Sequence, residues 1–162
     1  MTHPLTAVGP EFVTMAHRIV WCVAATVDRR GRPRTRILHP IWEWDGTELT
    51  GWVATSPLSP KATDLRGTPA MSVTYWAPSH DTCTADCRAV WEDSDEQRRA
   101  GWERFAQAPA PVGYVPSVVP AWTSPDAVLA ENALRAVQAA CSYSCSAPPR
   151  RSCRWMVRWA SR

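Results

Sequence analysis

The sequence predicts a mainly β fold: a small antiparallel β-barrel with one or two flanking helices. Three observations predict it. Short apolar, β-branched runs such as IVWCVAATV (19–27) and AMSVTYW (70–76) have strand length and no helical period. Turn signals separate them, at Asp28-Arg29-Arg30-Gly31 and at Asp45-Gly46. The chain has 162 residues without an internal repeat, which suits one core, and its 45% hydrophobic and 20% charged residues exclude a disordered or fibrous protein.

Taken in order, Ile19 to Val27 reads as a buried strand, and Gly31 supplies the positive φ of the turn that follows. Arg32 to Trp44 reads as a second strand, with Arg34, Arg36 and Leu38 on one face and Thr35, Ile37 and His39 on the other. Asp45-Gly46 turns the chain into a third strand, Glu48 to Thr55, which completes an antiparallel meander. Ser59 to Gly67 reads as a short helix with Ser59 as cap, Pro60 in its first position and Gly67 at its end. Ala70 to Trp76 and Thr82 to Trp91 are further strands. Asp93 to Gln107 is the longer helix, opened by Ser94-x-x-Gln97 and turning Trp102, Phe105 and Ala106 to one side. Five prolines between 109 and 125 then mark an extended loop, anchored by Gly113-Tyr114 and Trp122.

No apolar run approaches the roughly 18 residues of a membrane span, and the N-terminus lacks a basic-then-apolar signal pattern, so a cytoplasmic protein is expected. The six cysteines are accordingly expected to be free thiols. Cys83-x-x-x-Cys87 lacks a second pair at zinc spacing, and no metal is expected. The net charge of +3 is uneven, because residues 132–162 carry six of the 18 basic groups and none of the 15 acidic ones. The tail residues Arg150, Arg151, Arg154, Arg158 and Arg162, with Trp155 and Trp159, mimic a nucleic-acid patch, but that charge is confined to the tail and no nucleic-acid partner is expected.

The chemistry gathers at Thr55-Ser56-Pro57-Leu58-Ser59-Pro60-Lys61. A hydroxyl at a strand end, a second at a helix cap and the chain's one lysine in the first helical turn converge where the helix dipole is positive, which suits a phosphate monoester. A plain helix cap beside a solvated lysine is the bland alternative. Arg34 and Arg36, two residues apart on one strand face, can aim two guanidinium forks at the same anion. Together these features point to a phosphorylated, planar ligand. The histidines show no nucleophile or carboxylate pattern, and no catalytic acid or base is singled out.

In these residues the chain resembles the pyridoxamine 5′-phosphate oxidase-like, FMN-binding split-barrel family. The resemblance is carried by Ala24-Ala25-Thr26-Val27-Asp28 before Gly31-Arg32-Pro33-Arg34-Thr35-Arg36, by Gly51-Trp52 with Thr55-x-x-x-Ser59-x-Lys61, and by Val73-x-Tyr75-Trp76. Trp102-Glu103 with Phe105 and Pro111-Val112-Gly113-Tyr114 extend it, and it covers residues 11–126, leaving 127–162 as an atypical tail. It implies a split β-barrel homodimer with flavin at the subunit interface, acting as a flavin-dependent oxidoreductase on a small-molecule substrate or electron acceptor. The alternative is a non-catalytic flavin carrier or sensor. It implies FMN as cofactor, with the deazaflavin coenzyme second. The strand Arg36-Ile37-Leu38 would run along the flavin ring, Thr55, Ser59 and Lys61 would hold the phosphate, and Arg34 would assist. Trp76, at a strand end, reads as a core aromatic rather than a pocket wall. The C-terminal Arg/His pattern of the true pyridoxamine-phosphate oxidases is missing, so that activity is not expected.

The tail departs from the family's pattern. Where relatives of this kind finish in a strand resembling Pro-Tyr-Arg-Leu-Arg-Val, residues Ala136 to Cys141 read AVQAAC. These six can be encoded GCC GTA CAG GCT GCG TGT, and a shift by one base turns that string into Pro-Tyr-Arg-Leu-Arg followed by the start of a Val codon. The expectation is a frameshift between Asp126 and Ala136, a non-native Cys-, Ser- and Arg-rich end, and a barrel without its last strand.

Overall fold

The computed structural model of the chain describes residues 5–56, 58–92, 94–115 and 133–144. It opens with a helix, α1 (Leu5–Ile19), that precedes the first expected strand. Its apolar positions Phe12, Met15 and Ala16 are buried, and Gly9 allows close packing: a Cβ there would stand 2.7 Å from the Trp44 ring. Pro10 lies inside this helix, and burial of one face outweighs the hydrogen bond that proline forgoes.

β1 (Cys22–Val27) and β2 (Pro33–Leu38) form a hairpin through Gly31, whose φ of 75° is the positive value the turn requires. The expected long second strand breaks at His39-Pro40, and its far half is a separate strand, β3 (Ile41–Trp44). β3 pairs with β4 (Leu49–Ala54) across the turn at Gly46, φ 98°. After β4 come α2 (Pro60–Gly67), β5 (Ala70–Trp76), β6 (Thr82–Glu92) and α3 (Asp95–Gln107). The cap of α3 is as expected, Ser94 Oγ accepting from the Gln97 amide at 3.2 Å. Its buried residues are Gly101 and Phe105, while Ala106, expected on the same face, is exposed.

Among the described residues, seven strands form one antiparallel sheet in the order β2-β1-β5-β6-β7-β4-β3, where β7 is Ala133–Ser144. The break at Pro40 places β2 and β3 at opposite ends of this order, which replaces the expected meander by two hairpins. β7 corrects a second expectation: the fold does not lack its last strand. Residues 133–137 pair with β4 and 133–144 with β6, so the sheet reaches past the 11–126 span. Backbone hydrogen bonds make these pairings, and they are open to any residue but proline.

The main core lies between α1 and the inner sheet face, where Cys22, Ala24, Leu38, Trp42, Val73, Tyr75, Cys83 and Ala85 meet Phe12 and Met15. The Trp42 indole N–H donates to the Tyr75 hydroxyl at 2.7 Å, so its one polar atom is satisfied inside. A smaller core of Val20, Ile41, Phe105 and Val112 seats α3 and the segment after it. Cys22, Cys83 and Cys87 are buried and form no disulfide among the described residues, and burial pushes the Cys22 thiol up to about 11. No helix among the described residues is long and apolar enough to cross a membrane.

Candidate functional site

α2 runs beside β1 and carries Asp64 toward β1 and β2, while its Arg66 lies over the Trp91 ring of β6. Alternation along the hairpin decides what they meet. Arg36 pairs with Ala24 and Arg34 with Thr26, so both arginines project on the side of the sheet that α2 covers. Asp64 of α2 is buried there, and its Oδ2 accepts from the Thr26 hydroxyl at 3.0 Å and from Arg36 Nη2 at 3.5 Å. This carboxylate positions the Arg36 guanidinium by one edge. The other edge, Nη1, is buried and has no hydrogen-bond partner among the described residues.

The same is true of two hydroxyls expected at the site. Thr55 Oγ1, just past β4, and Ser59 Oγ, at the start of α2, are both buried and without a hydrogen-bond partner among the described residues. Ser59 occupies the cap position, but its side chain makes no cap bond; its carbonyl takes the amides of Ala62 and Thr63. The expected capping hydroxyl is therefore left for another acceptor. Buried polar atoms are nearly always paired, and an orphan costs about 1–3 kcal/mol. Orphans on Arg36, Thr55 and Ser59, all donors, fit an oxyanion such as a phosphate. Lys61 follows in the first turn of α2 and is half-buried.

Burial holds the Arg36 guanidinium below its ordinary pKa, with Asp64 opposing that shift and Arg34 adding to it. Arg34 itself is exposed. Leu38 lies in the main core, and Ile37 projects from the opposite face of β2, 60% exposed. The side chains of Arg36 and Ile37 thus lie on two sides of one strand. β2 ends the sheet, and its outward backbone groups are left for a ligand that lies along the edge.

Trp76 is not a core aromatic: it is 55% exposed, with its ring 6.0 Å from His80. Together with Trp21 (60%), Val23 (45%) and Ile37 it leaves apolar surface on the outer side of β1, β2 and β5. Beside Trp21, the His39 ring lies 5.0 Å from that indole and 5.2 Å from the Tyr114 ring. Tyr114 is an anchor as expected, its amide donating to the Phe105 carbonyl. Trp122 lies outside the described residues.

The sequence reading missed Asp64 and Thr26. An Asp in the middle of a short polar helix looks solvated until the β1–β2 hairpin is known to pack over it. Its one visible signal was being the only acid in a helix that also holds Lys61 and Arg66.

No family profile and no curated protein matches the chain in sequence. Solved structures do resemble it. A conserved hypothetical protein of Mycobacterium tuberculosis superposes with a TM-score of 0.61 at 18% identity, over 83% of this chain and 82% of that one. A Clostridium acetobutylicum protein related to general stress protein 26, of the pyridoxinephosphate oxidase family, reaches 0.66 at 10% identity over 87% and 90%. An F420 reductase gives 0.51 at 14% identity over 80% and 94%. These superpositions, over a mainly antiparallel sheet flanked by helices, show that the chain has the split-barrel fold of the pyridoxamine 5′-phosphate oxidase-like proteins.

Proposed function

We propose that this protein is a flavin-dependent oxidoreductase that binds FMN, or the deazaflavin coenzyme, through its phosphate, and works as a homodimer on a small-molecule substrate or electron acceptor. The observation that carries the reading is the set of orphaned donors on Arg36, Thr55 and Ser59. Their chemistry, buried hydrogen-bond donors, supports a phosphate ligand, with Lys61 adding a cation and Asp64 fixing Arg36. When bound, the flavin supplies hydride transfer, and the chain supplies position and electrostatics. The edge of β2 gives the ring a backbone to lie along. The apolar outer surface of Trp21, Val23, Ile37 and Trp76 supports the homodimer, since water-exposed clusters of this kind mark contact surfaces.

The test is the absorbance spectrum of the purified protein with FMN or deazaflavin, for wild type and Lys61→Ala. A bound flavin whose affinity falls about tenfold in the variant supports the reading; a protein that binds neither overturns it. Reoxidation of the bound, reduced flavin by a small acceptor then separates an enzyme from a carrier or sensor. An enzyme turns over faster than free flavin, and a carrier does not.

A further inference from the structure

One histidine that the proposed phosphate cradle does not use is enclosed by aromatic rings. The centre of the His39 ring lies 5.0 Å from that of Trp21, 5.2 Å from Tyr114 and 6.1 Å from Phe105. Its Nε2 is buried and has no hydrogen-bond partner among the described residues. Burial lowers the His39 pKa below 6.5, a hydrogen bond with the Val112 backbone opposes that shift, and His17 adds to it. The ring is therefore neutral at about pH 7, and with its proton on Nδ1, toward Val112, Nε2 is a bare acceptor. A buried acceptor left in this way is costly unless a ligand supplies the donor.

Two strands tie this histidine to the orphaned donors. Along β2, His39 follows Arg36 by three residues, roughly 10 Å at strand rise. Along β4, Ala54 packs against the small core of Val20, Ile41, Phe105 and Val112, as Tyr114 does, and the next residue, Thr55, carries one of the orphaned hydroxyls. The backbone is also strained here: Val20 has a φ of 74°, which a β-branched residue rarely adopts. Burial of Val20 holds that conformation, and Trp21 leaves it 60% exposed, against His39. Strain of this kind gathers at ligand sites.

We infer that His39 is a specificity-determining residue of the flavin site, whose Nε2 accepts a hydrogen bond from the ring N–H of the bound flavin or deazaflavin. The oxidised ring of either cofactor carries one N–H, at N3 between its two carbonyl groups, so an imidazole nitrogen that only accepts has one group to recognise. This inference rests on the flavin reading above and deepens it, because it names the side chain that reads the ring where Arg36, Thr55 and Ser59 read the phosphate.

The experiment measures, by fluorescence titration, dissociation constants for FMN and for its N3-methyl analogue, which has the same phosphate and ring but no ring N–H; the deazaflavin and its N3-methyl form take their place where FMN does not bind. Wild type is compared with His39→Gln, which keeps an acceptor, and with His39→Phe and His39→Leu, which keep bulk but not the acceptor. The ratio of the two constants cancels whatever a variant does to the phosphate contacts or to the fold as a whole. Wild type is expected to prefer the unmethylated ring about tenfold, His39→Gln to keep part of that preference, and the Phe and Leu variants to bring the two ligands within about twofold. Two apolar variants are used so that one which does not fold, by circular dichroism, leaves the other to decide. No preference in wild type, or one undiminished in the apolar variant because shape alone excludes the methyl group, overturns the inference and leaves the flavin reading standing. A wild type that binds neither FMN nor the deazaflavin overturns both.

Discussion

Ser59 and Thr55 carry buried hydroxyls that find no hydrogen-bond partner among the described residues. Removing such a group from the ligand-free protein removes a desolvation cost rather than a bond, whereas removing it from a complex deletes a charge-assisted hydrogen bond. Ser59→Ala and Thr55→Val are therefore expected to leave thermal stability without flavin unchanged or slightly raised, while each weakens FMN binding about tenfold. Melting curves with and without FMN, beside titrations, check both halves. A structural cap at Ser59 would give the opposite pattern, lost stability and unchanged binding. Gly51 shows the same economy of space as Gly9: a Cβ there would stand 2.8 Å from the Trp42 ring, so the indole packs directly against the backbone of β4.

At the scale of elements, α1 is fastened to β3 by a titratable bond. The Trp42 amide donates to His17 Nε2 at 3.0 Å, which requires an unprotonated ring nitrogen. Burial lowers the His17 pKa below 6.5, with Glu43 pulling the other way. A histidine whose folded pKa is depressed binds fewer protons folded than unfolded, so its contribution is complete above 6.5 and is lost as pH falls below that value. Thermal stability is expected to fall between about pH 7 and about pH 5, and to fall less in His17→Gln, whose amide oxygen accepts without titrating. His39, also lowered by burial, keeps part of the slope in that variant. Melting temperatures across this range, for both proteins, are the check. On the other flank Glu43 accepts from the Trp52 indole and from Arg104, whose guanidinium lies 4.0 Å over the Trp52 ring, and so ties α3 to β3 and β4.

At the scale of the whole molecule, the outer sheet surface and the C-terminal strand each carry a prediction. Ile37→Glu puts a charge on the exposed apolar surface without entering the core, and is expected to convert a homodimer to monomers with unchanged circular dichroism. Sedimentation of wild type and variant decides it; a wild type that sediments as a monomer removes the dimer from the proposal. β7 occupies residues 133–144, and the shifted reading frame places its Pro-Tyr-Arg-Leu-Arg-Val strand over the same stretch. We propose that the gene or its reading carries a one-base shift between Asp126 and Ala136. Sequencing the gene is expected to find a single-base change that restores that strand; a gene in which no such change does so removes the proposal.

How much was legible in the sequence follows from the range of the interactions involved. Ser94 and Gln97 set the start of α3 by a contact three residues apart, Gly31 and Gly46 set turns by their own φ, and the 70–76 strand was readable from its apolar, β-branched run alone. Helix α1 was missed although Leu5, Gly9, Phe12, Met15 and Ile19 keep a helical period, because Gly9 and Pro10 lower local propensity and only packing on Trp44 and the sheet restores it. The residue types of the proposed phosphate cradle, Arg36, Thr55, Ser59 and Lys61, were determined by the sequence. The tertiary structure alone decided that Asp64 orients Arg36, that Ser59 keeps its hydroxyl free of the cap, and that three hairpin arginines share a cavity with α2. These depend on strands and a helix tens of residues apart being brought together, and local propensity carries no information about which side chain a distant element will bury.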